Sequence, residues 1–161
     1  MSDTVKLKYK PLIGQSIPDL ESFAESQGEK PFRGRQLFDW IYRQQVDDVS
    51  AMTDLSKSFR EKLTHVPIHP LKIITGDVSV SKQTQKILFE LLDGNLLESV
   101  LMKEGNRITV CLSTQVGCAV DCDFCATAKM GFIKNLTTGE IVDQFLQLQK
   151  MSEQKITNVV F

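Results

Sequence analysis

No stretch of this 161-residue sequence comes near the roughly 20 consecutive apolar residues that a membrane-spanning helix requires. Nor does it open like an exported chain. M-S-D-T-V-K-L-K-Y-K carries basic residues without an apolar core or a small-residue cleavage site. An excess of one charge is missing too: 19 lysines and arginines face 20 aspartates and glutamates, for a net −1. That excludes a global basic field drawing the protein to nucleic acid, so any such binding must use local patches. There is no internal repeat and no low-complexity tract. These absences point to a cytoplasmic globular protein of one or two domains with no membrane partner; a monomer is expected.

Cysteine is scarce, and its placement is the strongest signal in the sequence. All four lie between Cys111 and Cys125, and Cys118, Cys122 and Cys125 form a Cys-x3-Cys-x2-Cys triplet. In a reducing compartment, clustered thiols are more often metal ligands or redox groups than structural disulfides. Structural zinc takes four ligands, usually from two paired knuckles, and only one knuckle is present. His65 and His69 sit far back in the sequence, and the ferredoxin pattern needs a fourth cysteine at another spacing. Three thiolates on a short loop suit a [4Fe–4S] cluster whose fourth iron stays open, as catalytic metal sites do. A zinc knuckle completed by Cys111, or by a ligand further on, is the other reading of this spacing.

The hydrophobic pattern predicts an α+β chain. Residues 1–68 read as a small helical domain. One amphipathic helix opens at Ile17-Pro18-Asp19 and stops near Gly28; a second follows Pro31; a third runs from about Thr53 with Leu55, Phe59 and Leu63 on one stripe. Residues 69–106 read as an antiparallel β extension, with strands separated by turn signals such as Asp93-Gly94-Asn95. In residues 107–161, a strand through Cys111, the cysteine loop, a helix and a strand from Ile156 form one βαβ unit. Thr137 and Glu140 make the capping-box signature of that helix. Parallel strands need cover on both faces, which a single unit cannot supply, so the chain is expected to be a truncated part of a larger α/β domain.

The segment S-T-Q-V-G-C-A-V-D-C-D-F-C-A-T-A-K-M-G-F-I-K-N-L-T-T-G-E-I resembles the radical S-adenosylmethionine RNA adenine methyltransferases of the RlmN/Cfr family. The resemblance extends through L-L-E-S-V-L-M, I-T-V-C-L-S and M-T-D-L-S-K-S-F-R-E-K-L, and so covers most of the chain. It implies the start of a radical-enzyme (β/α) barrel. Cys118, Cys122 and Cys125 would hold a [4Fe–4S] cluster that binds S-adenosylmethionine, with Phe124 near the adenine of that cofactor. It implies methylation of carbon 2 of adenine in 23S ribosomal RNA and transfer RNA through a methylcysteine, with an electron donor such as flavodoxin. Carbon 2 is electron-poor, so radical addition avoids a nucleophilic attack that this carbon cannot make.

Two further residues gain roles from the resemblance. Cys111 matches the cysteine that resolves the protein–RNA adduct and ends in a disulfide; alone, it reads as a small buried hydrophobe. Glu98 matches a glutamate near the target adenine. Leu96, Leu97, Val100 and Leu101 around it imply a partly buried carboxylate with a raised pKa. K-P-F-R-G-R-Q-L-F-D-W-I-Y-R sets Lys30, Arg33, Arg35 and Arg43 among aromatic rings, a mixture able to bind RNA or to form helix core plus solvated face. Lys129 and Lys134 read as solvated charges. Methylation of carbon 8, as in the Cfr branch, and a non-catalytic zinc-knuckle RNA-binding module are the alternative functions. The methyl-carrying cysteine and the family's Gly-Glu-Pro motif do not occur in these residues, so the chain alone is expected to be inactive.

Overall fold

Helix α1 (Ile17–Ser26) starts at a reciprocal capping box, in which Ser16 Oγ accepts from the Asp19 N–H and Asp19 Oδ2 accepts from the Ser16 N–H. It ends where Gly28 takes a positive φ of 80°. Helix α2 (Phe32–Phe38) continues into a π-helical turn, Asp39–Arg43, and α3 (Lys57–Leu63) is capped by Ser56. Gly34 lets α1 and α2 cross at bare backbone, since a Cβ there would lie 2.3 Å from the Glu21 nitrogen. Leu12, Leu20, Leu37, Ile41, Met52, Phe59 and Leu63 form the core of this unit. The Leu12 and Ile13 N–H groups close it by bonding to the carbonyls of Pro67 and Ile68.

The computed structural model describes residues 9–78, 83–120 and 131–161. They fall into two compact units, the helical one ending at Pro70 and a second beginning at Leu71. The second is built on five strands in the order β1 (Leu71–Val78), β2 (Thr84–Leu91), β3 (Leu96–Glu104), β4 (Arg107–Cys111) and β7 (Asn158–Val160). The first four form an antiparallel meander, and β7 joins β4 in parallel. Helix α4 (Thr138–Met151), capped by Thr137 and Glu140, makes the connection between them. A short ribbon absent from the sequence reading, β5 (Gln115–Val116) with β6 (Lys134–Asn135), precedes the helix.

Alternation decides what each face of the sheet carries. Ile87, Phe89, Leu97, Ile108 and Val110 point to the side on which Leu148 of α4 is buried. Each such fully buried side chain contributes about 1.5–3 kcal/mol. Their neighbours Lys86, Leu88, Glu98, Val100 and Cys111 lie on the opposite, partly exposed face. The sheet is thus covered on one side by the chain's own helix.

Candidate functional site

The register brings the candidate reacting residues to one place. Cys111 stands opposite Val100 of β3 on one side and Val160 of β7 on the other. Glu98, two residues before Val100, shares its face and lies toward the C-terminal end of β4. The Ser113 hydroxyl donates to the Glu98 carbonyl at 2.7 Å, which ties the two strands together there. This is the end of a strand from which α/β folds present their reactive groups.

Glu98 does not have the burial expected of it. Its side chain is 56% exposed and its Oε2 pairs with Lys86 Nζ at 2.8 Å. Leu97 and Leu101 belong to the other face, while Leu96 and Val100 flank Glu98 on its own face without enclosing it, Leu96 being itself exposed. Such an exposed pair is worth ~0.2–1 kcal/mol. Cys111 is half-buried and carries a free thiol, as does Cys118.

The cysteine loop leaves the sheet through a narrow neck. Gly117 and Gly131 both have positive φ, 72° and 71°. A Cβ on Gly117 would lie 1.7 Å from the Gly131 carbonyl oxygen. The Ile133 N–H bonds to the Val116 carbonyl and the Leu136 N–H to that of Thr114, so residues 118–130 begin and end at adjacent points. The Val120 N–H points at Cys118 Sγ, 3.4 Å away. Main-chain donors aimed at cysteine sulfur suit the thiolate ligands of an iron–sulfur cluster. Cys122, Phe124, Cys125 and Lys129 lie outside the described residues. Among the described residues no three metal-ligating side chains gather, since only one of the triplet is included.

Lys134 is not a solvated charge. Its ammonium group bridges Asp93 (2.6 Å) in the β2–β3 turn and Glu140 (2.9 Å) in the first turn of α4. Desolvation opposes its charge, but the bonds to Asp93 and Glu140 prevail and hold its pKa above the usual lysine value. Asp93 is likewise opposed by desolvation, yet Lys134 and the Asn95 N–H hold its carboxyl below the ordinary range. This bridge fixes the downstream side of the loop neck to the hairpin beside Glu98.

In the helical unit, part of the aromatic and basic segment is tied to its own neighbours rather than left free. Asp54 gathers three of its residues: its carbonyl accepts from Arg33, and its carboxylate accepts from Gln36 and Trp40. Tyr42 receives the Gly14 N–H, and its ring packs 4.4 Å from Phe38. Arg35 and Arg43 remain outside, 71% and 77% exposed, each with one carboxylate partner, Glu21 and Asp39. Lys30 is exposed, and the Arg33 guanidinium lies over the Phe32 ring.

The comparisons with known proteins agree with this architecture. Residues 11–68 match the ribosomal RNA large subunit methyltransferase N-terminal domain, RlmN_N. "Probable dual-specificity RNA methyltransferase RlmN" of Synechocystis sp. is 43% identical over 94% of this chain and 43% of its own length. The protein of the same name from Thermotoga neapolitana is 46% identical over 94% of this chain and 45% of its own. A crystal structure of a radical SAM methyltransferase from Sphaerobacter thermophilus superposes with a TM-score of 0.84. It is 40% identical, and the match spans 92% of this chain and 45% of that one. The chain therefore spans less than half the length of these relatives.

Proposed function

We propose that the chain belongs to the RlmN family of methyltransferases and carries the RNA-facing and cluster-binding part of an enzyme that methylates carbon 2 of adenine. The substrates on this reading are 23S ribosomal RNA and transfer RNA, reached in the cytoplasm by a monomer, with a small electron-transfer protein as reductant. Residues 11–68 face the RNA, and β4, α4 and β7 are the first turn of a radical-enzyme (β/α) barrel. Among the described residues no helix is long and apolar enough to cross a membrane.

The observation that carries the reading is the convergence of Glu98, Cys111 and the neck of the cysteine loop at the C-terminal end of β4. Cys118, with Cys122 and Cys125, would hold a [4Fe–4S] cluster, and the donor set fits: a thiol with a main-chain N–H directed at it, on a loop closed at its base. When bound, the cluster with S-adenosylmethionine supplies one-electron chemistry that an electron-poor carbon requires. Phe124 would lie near the adenine of that cofactor, as the family resemblance implies. Cys111, on the open face two residues before Ser113, resolves the covalent adduct with RNA through its thiol. Glu98, exposed beside Lys86, accepts a hydrogen bond or proton from the target adenine.

Three of the four cysteines act as ligands and the fourth as resolving thiol. None is left to carry the methyl group, so the 161 residues by themselves bind the cluster without producing methyladenine.

Anaerobic reconstitution with iron and sulfide tests the reading, followed by electron paramagnetic resonance with and without S-adenosylmethionine. A cluster signal that changes with the cofactor is the expected result. Stoichiometric zinc with no cluster would overturn it in favour of a zinc-knuckle RNA-binding module. Methylation at carbon 8 rather than carbon 2, read by mass spectrometry in a longer chain, would instead place it in the Cfr branch.

A further inference from the structure

Gln144 is a polar side chain buried completely, on the helix that connects β4 to β7. Its Oε1 accepts from Ser99 Oγ at 2.7 Å and from the Ser113 N–H at 2.8 Å. Its Nε2 donates to the carbonyls of Ser113 and Glu140, both at 3.0 Å. All four of its bonding capacities are used. An uncompensated amide is costly to bury, and an apolar side chain would fill the same volume, so this position is specified by its bonds.

The partners indicate what the bonds do. Gln144 pairs with both main-chain groups of Ser113, as a neighbouring strand would, just where the chain leaves β4 for the cysteine loop. Ser113 in turn donates its hydroxyl to the Glu98 carbonyl. Ser99 is adjacent to Glu98, and Ser113 is two residues beyond Cys111. Strand alternation puts Ser99 on the side that faces Gln144 of α4, with Glu98 and Cys111 on the other side of the same two strands.

We propose that Gln144 is a positioning residue that fixes Cys111 and Glu98 relative to each other and to the loop neck. The proposal rests on the reading of those two residues as reacting groups.

The test is alkylation of Cys111 by iodoacetamide in the metal-free full chain under native conditions, resolved by peptide mass spectrometry. Gln144→Met removes all four bonds at similar volume. Leu148→Ala, on the same helix, is the control for loss of stability, scored by urea midpoint. Gln144→Met should change the Cys111 rate at least ten-fold, while Leu148→Ala changes it less than two-fold. A Cys111 rate in Gln144→Met no different from that in Leu148→Ala overturns the proposal. Should Gln144→Met not fold, Ser99→Ala decides instead: it breaks one bond, and an unchanged rate counts against the role. No cluster enters this readout. Failure to take up iron and sulfide would therefore sink the proposed function and leave this result standing.

Discussion

Gly117 and Gly131 approach so closely that a Cβ on the first would sit 1.7 Å from the carbonyl oxygen of the second. The requirement is one-sided, since a Cβ on Gly131 would meet open space and only its positive φ favours glycine there. Gly117 needs both a positive φ and an absent side chain, because the two ends of the cysteine loop meet at its α-carbon.

Gly117→Ala should therefore open the neck. The expected cost is ~3 kcal/mol of stability, from backbone strain and overpacking together. Cluster uptake should fall at least ten-fold, measured as bound iron per chain after reconstitution. Gly105→Ala, also at a positive φ but with open space around it, should cost only ~1 kcal/mol and leave iron uptake unchanged.

The Lys134 bridge predicts stability losses at both ends of the pH scale. Asp93 has a lowered carboxyl pKa, so its contribution is full above the unfolded value of about 3.9 and is lost as pH falls through the folded one. Lys134 has a raised pKa, so its contribution is full below about 10.4 and is lost as pH rises through the folded value. Lys134→Met should cost ~1–2 kcal/mol at neutral pH, because it leaves the largely buried Glu140 without its cation. It should also flatten the acid and alkaline limbs of a plot of urea midpoint against pH. Unchanged limbs would show that the bridge does not govern them.

The four basic residues of the helical unit should separate by role. Arg33→Ala removes a bond to the Asp54 carbonyl and should lower the melting temperature by several degrees. Arg35→Ala and Arg43→Ala should leave stability within about 0.5 kcal/mol, since both side chains are exposed and singly paired. If they meet RNA phosphate, each should reduce the salt slope of binding by about one. A gel-shift or fluorescence titration at several salt concentrations reads that slope.

Cys111→Ala should keep the cluster and the fold. Removing one half-buried sulfur costs ~1 kcal/mol, and Cys111 is not among the proposed ligands. Glu98→Gln should be nearly neutral in stability, because the carboxylate is solvated and its pair with Lys86 is a surface one. Iron content below half of the parent in Cys111→Ala would make Cys111 a cluster ligand and overturn its assignment as the resolving thiol.

Much of this molecule is legible in local sequence. Ser16 with Asp19 and Thr137 with Glu140 mark the starts of α1 and α4, because an N-cap acts on residues three positions away. Asp93-Gly94-Asn95 and Glu104-Gly105-Asn106 mark the hairpin turns, because a positive φ favours glycine at the turn. The Cys-x3-Cys-x2-Cys spacing gives the thiol set without any coordinates. Alternation around Cys111 likewise gives a strand, since β propensity and a two-residue period need only neighbours in sequence.

Other features depend on groups far apart in the chain. Nothing near Glu98 says that it lies on the open face; the apolar residues around it suggest the reverse, and only the pairing register with β2 and β4 decides. Nothing in V-D-Q-F-L-Q-L-Q distinguishes a buried Gln144 from a solvated one until Ser99 and Ser113 are brought to it from 45 and 31 residues away. Lys134 reads as a surface charge until the β2–β3 turn, 41 residues earlier, places Asp93 beside it. The sequence by itself determined the elements, their caps and turns, and the thiol set, all set by interactions within a few residues. The tertiary structure alone decided which polar side chains are buried and paired, because a buried hydrogen bond exists only when packing supplies both partners.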